Sequence, residues 1–193
     1  LKEARSWTWR TMPADPPFWL EALPVFLEVY AGKAVLTRAF RKAGWVTLPP
    51  IEKEISAEVP TGIDITDKVV LQKIVRWMRV VSYVHFGTPC TTMSRARRHD
   101  GGPAPLRSAE FVEGLPGLSD FNRQKVTEGN HLAQITIDLI KTLTVGQFWS
   151  VENPEHSFLW QFREFREWSS RHVRALLHMC AFGSRAKKPT VIL

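Results

Sequence analysis

Residues 80–97 read VVSYVHFGTPCTTMSRAR, and the fold turns on how this stretch is read. Val80, Val81, Tyr83, Val84, His85 and Phe86 form a short β-branched and aromatic run that stops at Gly87-Thr88-Pro89, with a polar segment opening at Thr91-Thr92. Such a run, bounded by Gly and Pro, reads as a buried parallel strand. Open α/β sheets gather their ligands and chemistry at the carboxyl ends of these strands. Cys90 stands at that end, placed to react.

Upstream, Val25–Tyr30 (VFLEVY) is a second apolar run. Ala31-Gly32-Lys33-Ala34 follows, then a helical pattern with Leu36, Ala39, Phe40 and Ala43 on one face, closed by Gly44. Strand, tight Gly turn and helix together aim backbone N–H groups and a helix N-terminus at a bound ligand. Trp45–Leu48 reads as a further strand, with Glu52 and Glu54 beyond it. Thr66 or Asp67 is the expected cap of a helix over Lys68–Arg79, whose apolar face is Val70, Ile74, Trp77 and Met78. Residues 1–19 combine Trp7, Trp9 and Trp19 with Pro13, Pro16 and Pro17, and read as an irregular arm pinned by its aromatics. Within the arm, Asp15-Pro16-Pro17-Phe18 has the form of a motif of amino-group methyltransferases. It lies too close to the Gly32 turn to work as one.

Downstream of Cys90 the chain is basic and Gly/Pro-rich, carrying Arg95, Arg97, Arg98, His99 and Arg107. A loop of this composition suits phosphate contact. The periodicity of Leu132, Ile135, Leu139, Ile140 and Leu143 predicts an amphipathic helix from about Gly129 to Leu143. Gly146–Val151 is expected to be a strand, with Glu152-Asn153-Pro154 at its end. Phe158, Phe162 and Phe165 continue as a helix, and Val173–Phe182, which contains Cys180, is a further run.

The 193 residues, 44% of them hydrophobic, are enough for one ordinary domain with a real core. Lys and Arg number 26 against 19 Asp and Glu, a net charge of +7 that favours a polyanionic partner such as nucleic acid. Two cysteines do not make a disulfide scaffold, and free thiols fit a reducing compartment. No Cys/His cluster has zinc-ligand spacing, so no metal is expected. Glu21, Pro24 and Glu28 interrupt the one long apolar stretch, which excludes a signal peptide or a membrane span there. The expectation is an intracellular protein, nuclear or cytoplasmic. A chain that begins at Leu1 and ends in an apolar run is also expected to be a piece of a longer polypeptide.

Pro89-Cys90, with Ser94 four positions after the cysteine, resembles the nucleophile motif of the cytosine carbon-5 methyltransferases. Three companions stand in the same order along residues 20–193. Glu28, Tyr30 and Gly32 resemble the family's first cofactor motif, with Ala34 where a second Gly is usual. Gly62-Ile63-Asp64-Ile65-Thr66 resembles its Gly-Asp-Ile-Thr segment. Glu152-Asn153-Pro154 resembles Glu-Asn-Val.

The resemblance implies an α/β fold, a Rossmann-like doubly wound, mostly parallel sheet with helices on both faces. It implies an S-adenosylmethionine-dependent enzyme acting on carbon 5 of cytosine in DNA or RNA. Cys90 would be the thiolate, its pKa lowered by a helix N-terminus and by Arg95 or Arg97. Glu152 would bond the cytosine edge, and Asn153 would orient that carboxylate. Glu28, Tyr30, Gly32, Ala34, Glu52, Asp64 and Pro89 would line the cofactor site. Ser94, Arg95, Arg97, Arg98 and Lys187 would meet nucleic acid, Lys187 lying where the family has Gln-x-Arg-x-Arg.

Nothing in the chain corresponds to a target-recognition domain, which a parent polypeptide or a partner would supply. Two other readings stay open: an inactive methyltransferase-like module that binds nucleic acid or a partner, and another Rossmann-like enzyme with a catalytic Cys.

Overall fold

The computed structural model describes residues 7–57, 59–95, 103–183, 185 and 188–193. The chain is mixed α/β and divides into two compact units, Leu1–Gly87 with Asp138–Ser150, and Thr88–Ile137 with Val151–Leu193.

In the first unit β1 (Val25–Val29) is buried at all five positions, as a strand flanked on both sides must be. It pairs in parallel with β2 (Val46–Thr47) and with β3 (Tyr83–Phe86). Strand order here is β2-β1-β3-β4, the start of β4 (Phe148–Pro154) being held by two bonds from Gln147 Nε2 to the carbonyls of Met78 and Val81. α1 (Val35–Lys42) follows β1, and its Phe40 ring stacks on Phe26 at 3.8 Å. α2 (Lys68–Met78) is capped by Asp67, which accepts from Val69 N and Val70 N, and it buries Ile74, Trp77 and Met78.

Side chains of α2 and the residue after it hold the N-terminal arm. Lys73 donates to the carbonyls of Trp9 and Met12, Arg76 to Ala14, Trp77 to Pro13 and Arg79 to Pro16. Over residues 7–17 the arm has no helix or strand, yet the carbonyls of Trp9, Met12, Pro13, Ala14 and Pro16 are satisfied. The Asp-Pro-Pro-aromatic segment belongs to this strapping, with Phe18 at 84% exposure.

In the second unit β4, β6 (Pro189–Ile192) and β5 (Ala175–His178) lie in that order, and both pairings are antiparallel. Glu152, Asn153 and Pro154 sit within β4, opposite Ile192, Val191 and Thr190, rather than beyond its end. Within the run Val173–Phe182, β5 covers Ala175–His178 and is largely exposed.

α3 (Asp120–Lys141) starts nine residues before the position that periodicity indicates. Its first turns are polar and carry no apolar stripe to count. Gly129 looks like a helix start but lies mid-helix, because a Cβ there would stand 2.6 Å from Thr92 Oγ1 and 3.1 Å from Arg107 Nη2. The 3-10 turn Phe158–Gln161 is capped by Ser157 and leads into α4 (Arg163–Ser169), whose Phe165 packs edge-on against Trp160 and Trp168.

Candidate functional site

Two turns carry the residues singled out by the sequence, one in each unit. The first follows β1. Tyr30, Gly32 and Ala34 all have positive φ, at 58°, 52° and 50°. Ala34 is the N-cap of α1 and offers no side-chain acceptor. Glu28 does that work from β1: its Oε2 accepts from both the N–H and the hydroxyl of Thr37, each at 2.6 Å. A carboxylate at this place also meets the positive end of the helix dipole. Glu28 is only 5% exposed, so it is a support behind the turn and does not face a ligand.

Glu52 closes the turn from the other side. Its Oε2 accepts from Gly32 N at 2.7 Å, and its Oε1 from Lys53 N and Glu54 N. It follows the bridge residue Ile51, paired with Val29. Asp64 lies farther along, with Oδ1 accepting from Thr66 N and Thr66 Oγ1 and Oδ2 at 3.2 Å from Lys53 Nζ. The Thr66 hydroxyl, with help from Lys53, holds the Asp64 carboxyl below its ordinary range despite partial burial.

The second turn follows β3 and belongs wholly to the second unit. Thr88 is buried, Pro89 and Cys90 are half-buried, and Met93 N and Ser94 N both return to the Cys90 carbonyl. Residues 91–95 form a turn, so among the described residues no helix begins beside the thiol. The Arg95 guanidinium lies over the Phe158 ring at 4.9 Å. Burial pushes the Cys90 thiol above its ordinary value; Lys188 pulls it down and Glu152 pushes it further up. The thiol thus has a carboxylate and an ammonium within electrostatic reach, and these two stand 3.6 Å apart (Lys188 Nζ to Glu152 Oε1).

Asn153 does not orient the Glu152 carboxylate. Its Nδ2 donates to the Thr88 carbonyl at 2.6 Å and to the Glu152 main-chain carbonyl at 3.1 Å. Arg107, expected at a phosphate, is 2% exposed and donates to Thr92 O and Oγ1, Val112 O, Val126 O and Asn130 Oδ1. Its charge serves the fold. Ser94, Arg95, Thr92, Leu106 and Phe158 line a cavity of about 310 Å³ beside the turn. Arg97, Arg98 and Lys187 lie outside the described residues. Lys188, one position beyond the lysine that the sequence suggested, carries the charge beside Glu152; the β6 register that places it could not be counted from composition.

No protein-family model matches the chain, and no curated protein sequence matches it. Among the described residues no His/Cys/Asp/Glu cluster suits a metal ion, and no helix is long and apolar enough to cross a membrane.

The first turn can be tested against a cofactor carrying a ribose diol and an aromatic amine. Glu52 and Asp64 are both partly exposed, and each carboxylate keeps unused acceptor capacity beyond the bonds described. The space over Gly32 is open, with nothing within 4 Å of where a Cβ would stand. These acceptors suit the donors of such a group, Glu52 its hydroxyls and Asp64 its amine.

Proposed function

We propose that this chain is a cytosine carbon-5 methyltransferase acting on nucleic acid, DNA before RNA, through a covalent adduct at Cys90. The observation that carries the reading is the meeting of a strand-end thiol, a carboxylate and an ammonium in one unit: Cys90, Glu152 and Lys188. Support also comes from the α/β order of elements, with a parallel β2-β1-β3 ladder of the Rossmann-like kind, and from the net charge of +7.

Carbon 5 of cytosine is a weak nucleophile until the 5,6 double bond is broken. In this reading the Glu152 carboxylate takes the Cys90 thiol proton as the sulfur bonds to carbon 6 and the 5,6 double bond opens. The Glu152 carboxyl then passes that proton to ring nitrogen N3, so negative charge does not accumulate on the ring. Carbon 5 of the resulting enamine then accepts a methyl group, which S-adenosylmethionine supplies when bound. Loss of the carbon-5 proton to water expels the sulfur as the thiolate, and the N3 proton returns by way of Glu152 to restore the thiol. Lys188 lowers the cost of ionising Cys90, which burial raises. A target base in a duplex must leave the stack to reach the thiol, so single-stranded or distorted substrate is easier.

An oligonucleotide bearing 5-fluorocytosine tests the reading, because fluorine at carbon 5 blocks the final elimination. With S-adenosylmethionine present, the protein should give a covalent band, and Cys90→Ala should give none. The absence of a band with the unaltered protein overturns the proposal. One observation favours a binding module instead: the buried thiol is pushed away from ionisation. Calorimetry on the full-length parent bears on the choice, since an absence of affinity for S-adenosylmethionine favours the module over the enzyme.

A further inference from the structure

Asn153 is deeply buried, 1% exposed, and its Oδ1 has no hydrogen-bond partner. Buried acceptors of this kind are rare and need a reason. Flipping the carboxamide does not supply one, because it would turn Oδ1 onto the Thr88 carbonyl, acceptor against acceptor. Asn153 therefore spends its N–H₂ group on two main-chain carbonyls, Thr88 and Glu152, and leaves its oxygen unpaired. An apolar residue of the same size would remove that orphan, so the polar one is explained by what its donors hold.

Thr88 lies two residues before Cys90. It is held a second time from α3, where its hydroxyl meets Thr136 Oγ1 at 3.1 Å and Thr136 Oγ1 in turn donates to Leu132 O. The two clamps differ. Thr136 holds a side chain, and Asn153 holds the peptide unit that leads directly into Pro89-Cys90.

We propose that Asn153 is a positioning residue for the Cys90 sulfur, fixing the nucleophile turn through the Thr88 carbonyl rather than orienting the Glu152 carboxylate. The proposal deepens the reading of Cys90 as nucleophile, and its test also stands apart from that reading.

Asn153→Leu removes the unpaired Oδ1 and leaves the Thr88 carbonyl without its donor. One orphan is removed while the carbonyls of Thr88 and Glu152 each lose a donor, so a modest fall in melting temperature is expected and the readout is the chemistry of Cys90. The Thr88 carbonyl can regain a partner only by swinging toward water, which carries Cys90 with it. In a Cys180→Ser background, iodoacetamide alkylation of Cys90 at pH 7.5 is expected to rise about fivefold, with the apparent pKa falling toward the ordinary thiol value. Adduct formation with the 5-fluorocytosine oligonucleotide should fall at least tenfold. Thr136→Val, which cuts only the side-chain clamp, should leave the alkylation profile unchanged. Asn153→Ser, too short to reach Thr88, should behave like the Leu variant and serves if that one fails to fold.

An unchanged alkylation profile in both Asn153 variants overturns the proposal, as does an equal shift in Thr136→Val, which would mean general loosening. If the unaltered protein forms no adduct but the alkylation shift appears, the methyltransferase reading fails and the positioning role stands.

Discussion

The turn after β1 and the turn after β3 are each the end of a parallel strand, yet they are held in opposite ways. The first is bent through positive φ at Tyr30, Gly32 and Ala34, and carboxylates secure its N–H groups, Glu52 at Gly32 and Glu28 at Thr37. The second shows no positive φ from Thr88 to Ser94, and donors secure its carbonyls, Asn153 at Thr88 and Arg107 at Thr92. The first turn tolerates strain and ties its N–H groups to side-chain acceptors. The second is more deeply buried and is tied down by its oxygens. The contrast can be tested one anchor at a time.

The largest effect is expected at Arg107. Replacing it with Met keeps much of the apolar stem but abolishes its five hydrogen bonds, leaving the carbonyls of Thr92, Val112 and Val126 to find other donors. Burial, opposed in part by the charge of Glu113, drops the guanidinium pKa to about 10, so the group is still charged at neutral pH and needs these acceptors around it. Denaturant unfolding should show a loss of about 3–5 kcal/mol. Arg107→Lys should recover little, because an ammonium cannot reach acceptors spread around a planar fork. A loss below about 1 kcal/mol would break the claim that the second turn is held by donors.

Arg107 also shows where the sequence could be read and where it could not. β1, β3, α1 and α2 are legible because apolar runs, Gly44 and the Asp67 cap are local signals. A guanidinium in a Gly/Pro-rich basic loop looks like surface, and only the approach of α3, made possible by Gly129, turns it into a buried hub. The strand read over Gly146–Val151 runs on through Pro154 because its pairing with β6 is set by residues far along the chain. The pairing of Lys188 with Glu152 depends on that same register. Ala34 was visible as a departure from a glycine pattern, and its φ of 50° gives the reason a glycine is favoured there.

A smaller effect, reaching full size only in acid, belongs to the first unit. His85 on β3 is buried with Nδ1 at 2.8 Å from Ser150 Oγ, which also meets the Tyr83 hydroxyl at 2.7 Å. Burial lowers its pKa to about 4, against about 6.5 in the unfolded chain. The unfolded state therefore binds the proton first. The stability contributed by the neutral ring is complete above pH 6.5 and drains away as pH falls toward 4, by about 3 kcal/mol. Asn153 and Arg107 do not titrate in this window. His85→Gln, which keeps a partner for Ser150 but cannot become an imidazolium, should flatten the fall in urea-unfolding free energy between pH 7 and pH 4. An equal slope in the two proteins would place the acid sensitivity elsewhere.

The smallest effect probes the charges around the sulfur, and it has a sign for each partner. Cys90 has its thiol pKa raised, so the neutral form dominates at pH 7.5 and alkylation should keep accelerating beyond pH 9. Lys188→Gln removes the charge that favours the thiolate and should slow alkylation at pH 7.5. Glu152→Gln removes the charge that opposes it and should speed the reaction. Each change is expected to be roughly threefold, half a pKa unit or about 0.7 kcal/mol, as suits partly exposed groups screened by water. Raising salt should shrink both changes together, because both act through the field and not through a bond to the sulfur. If the two variants shift the rate in the same direction, the thiol is responding to a loosened turn. The carboxylate and the ammonium would then not share a site with it.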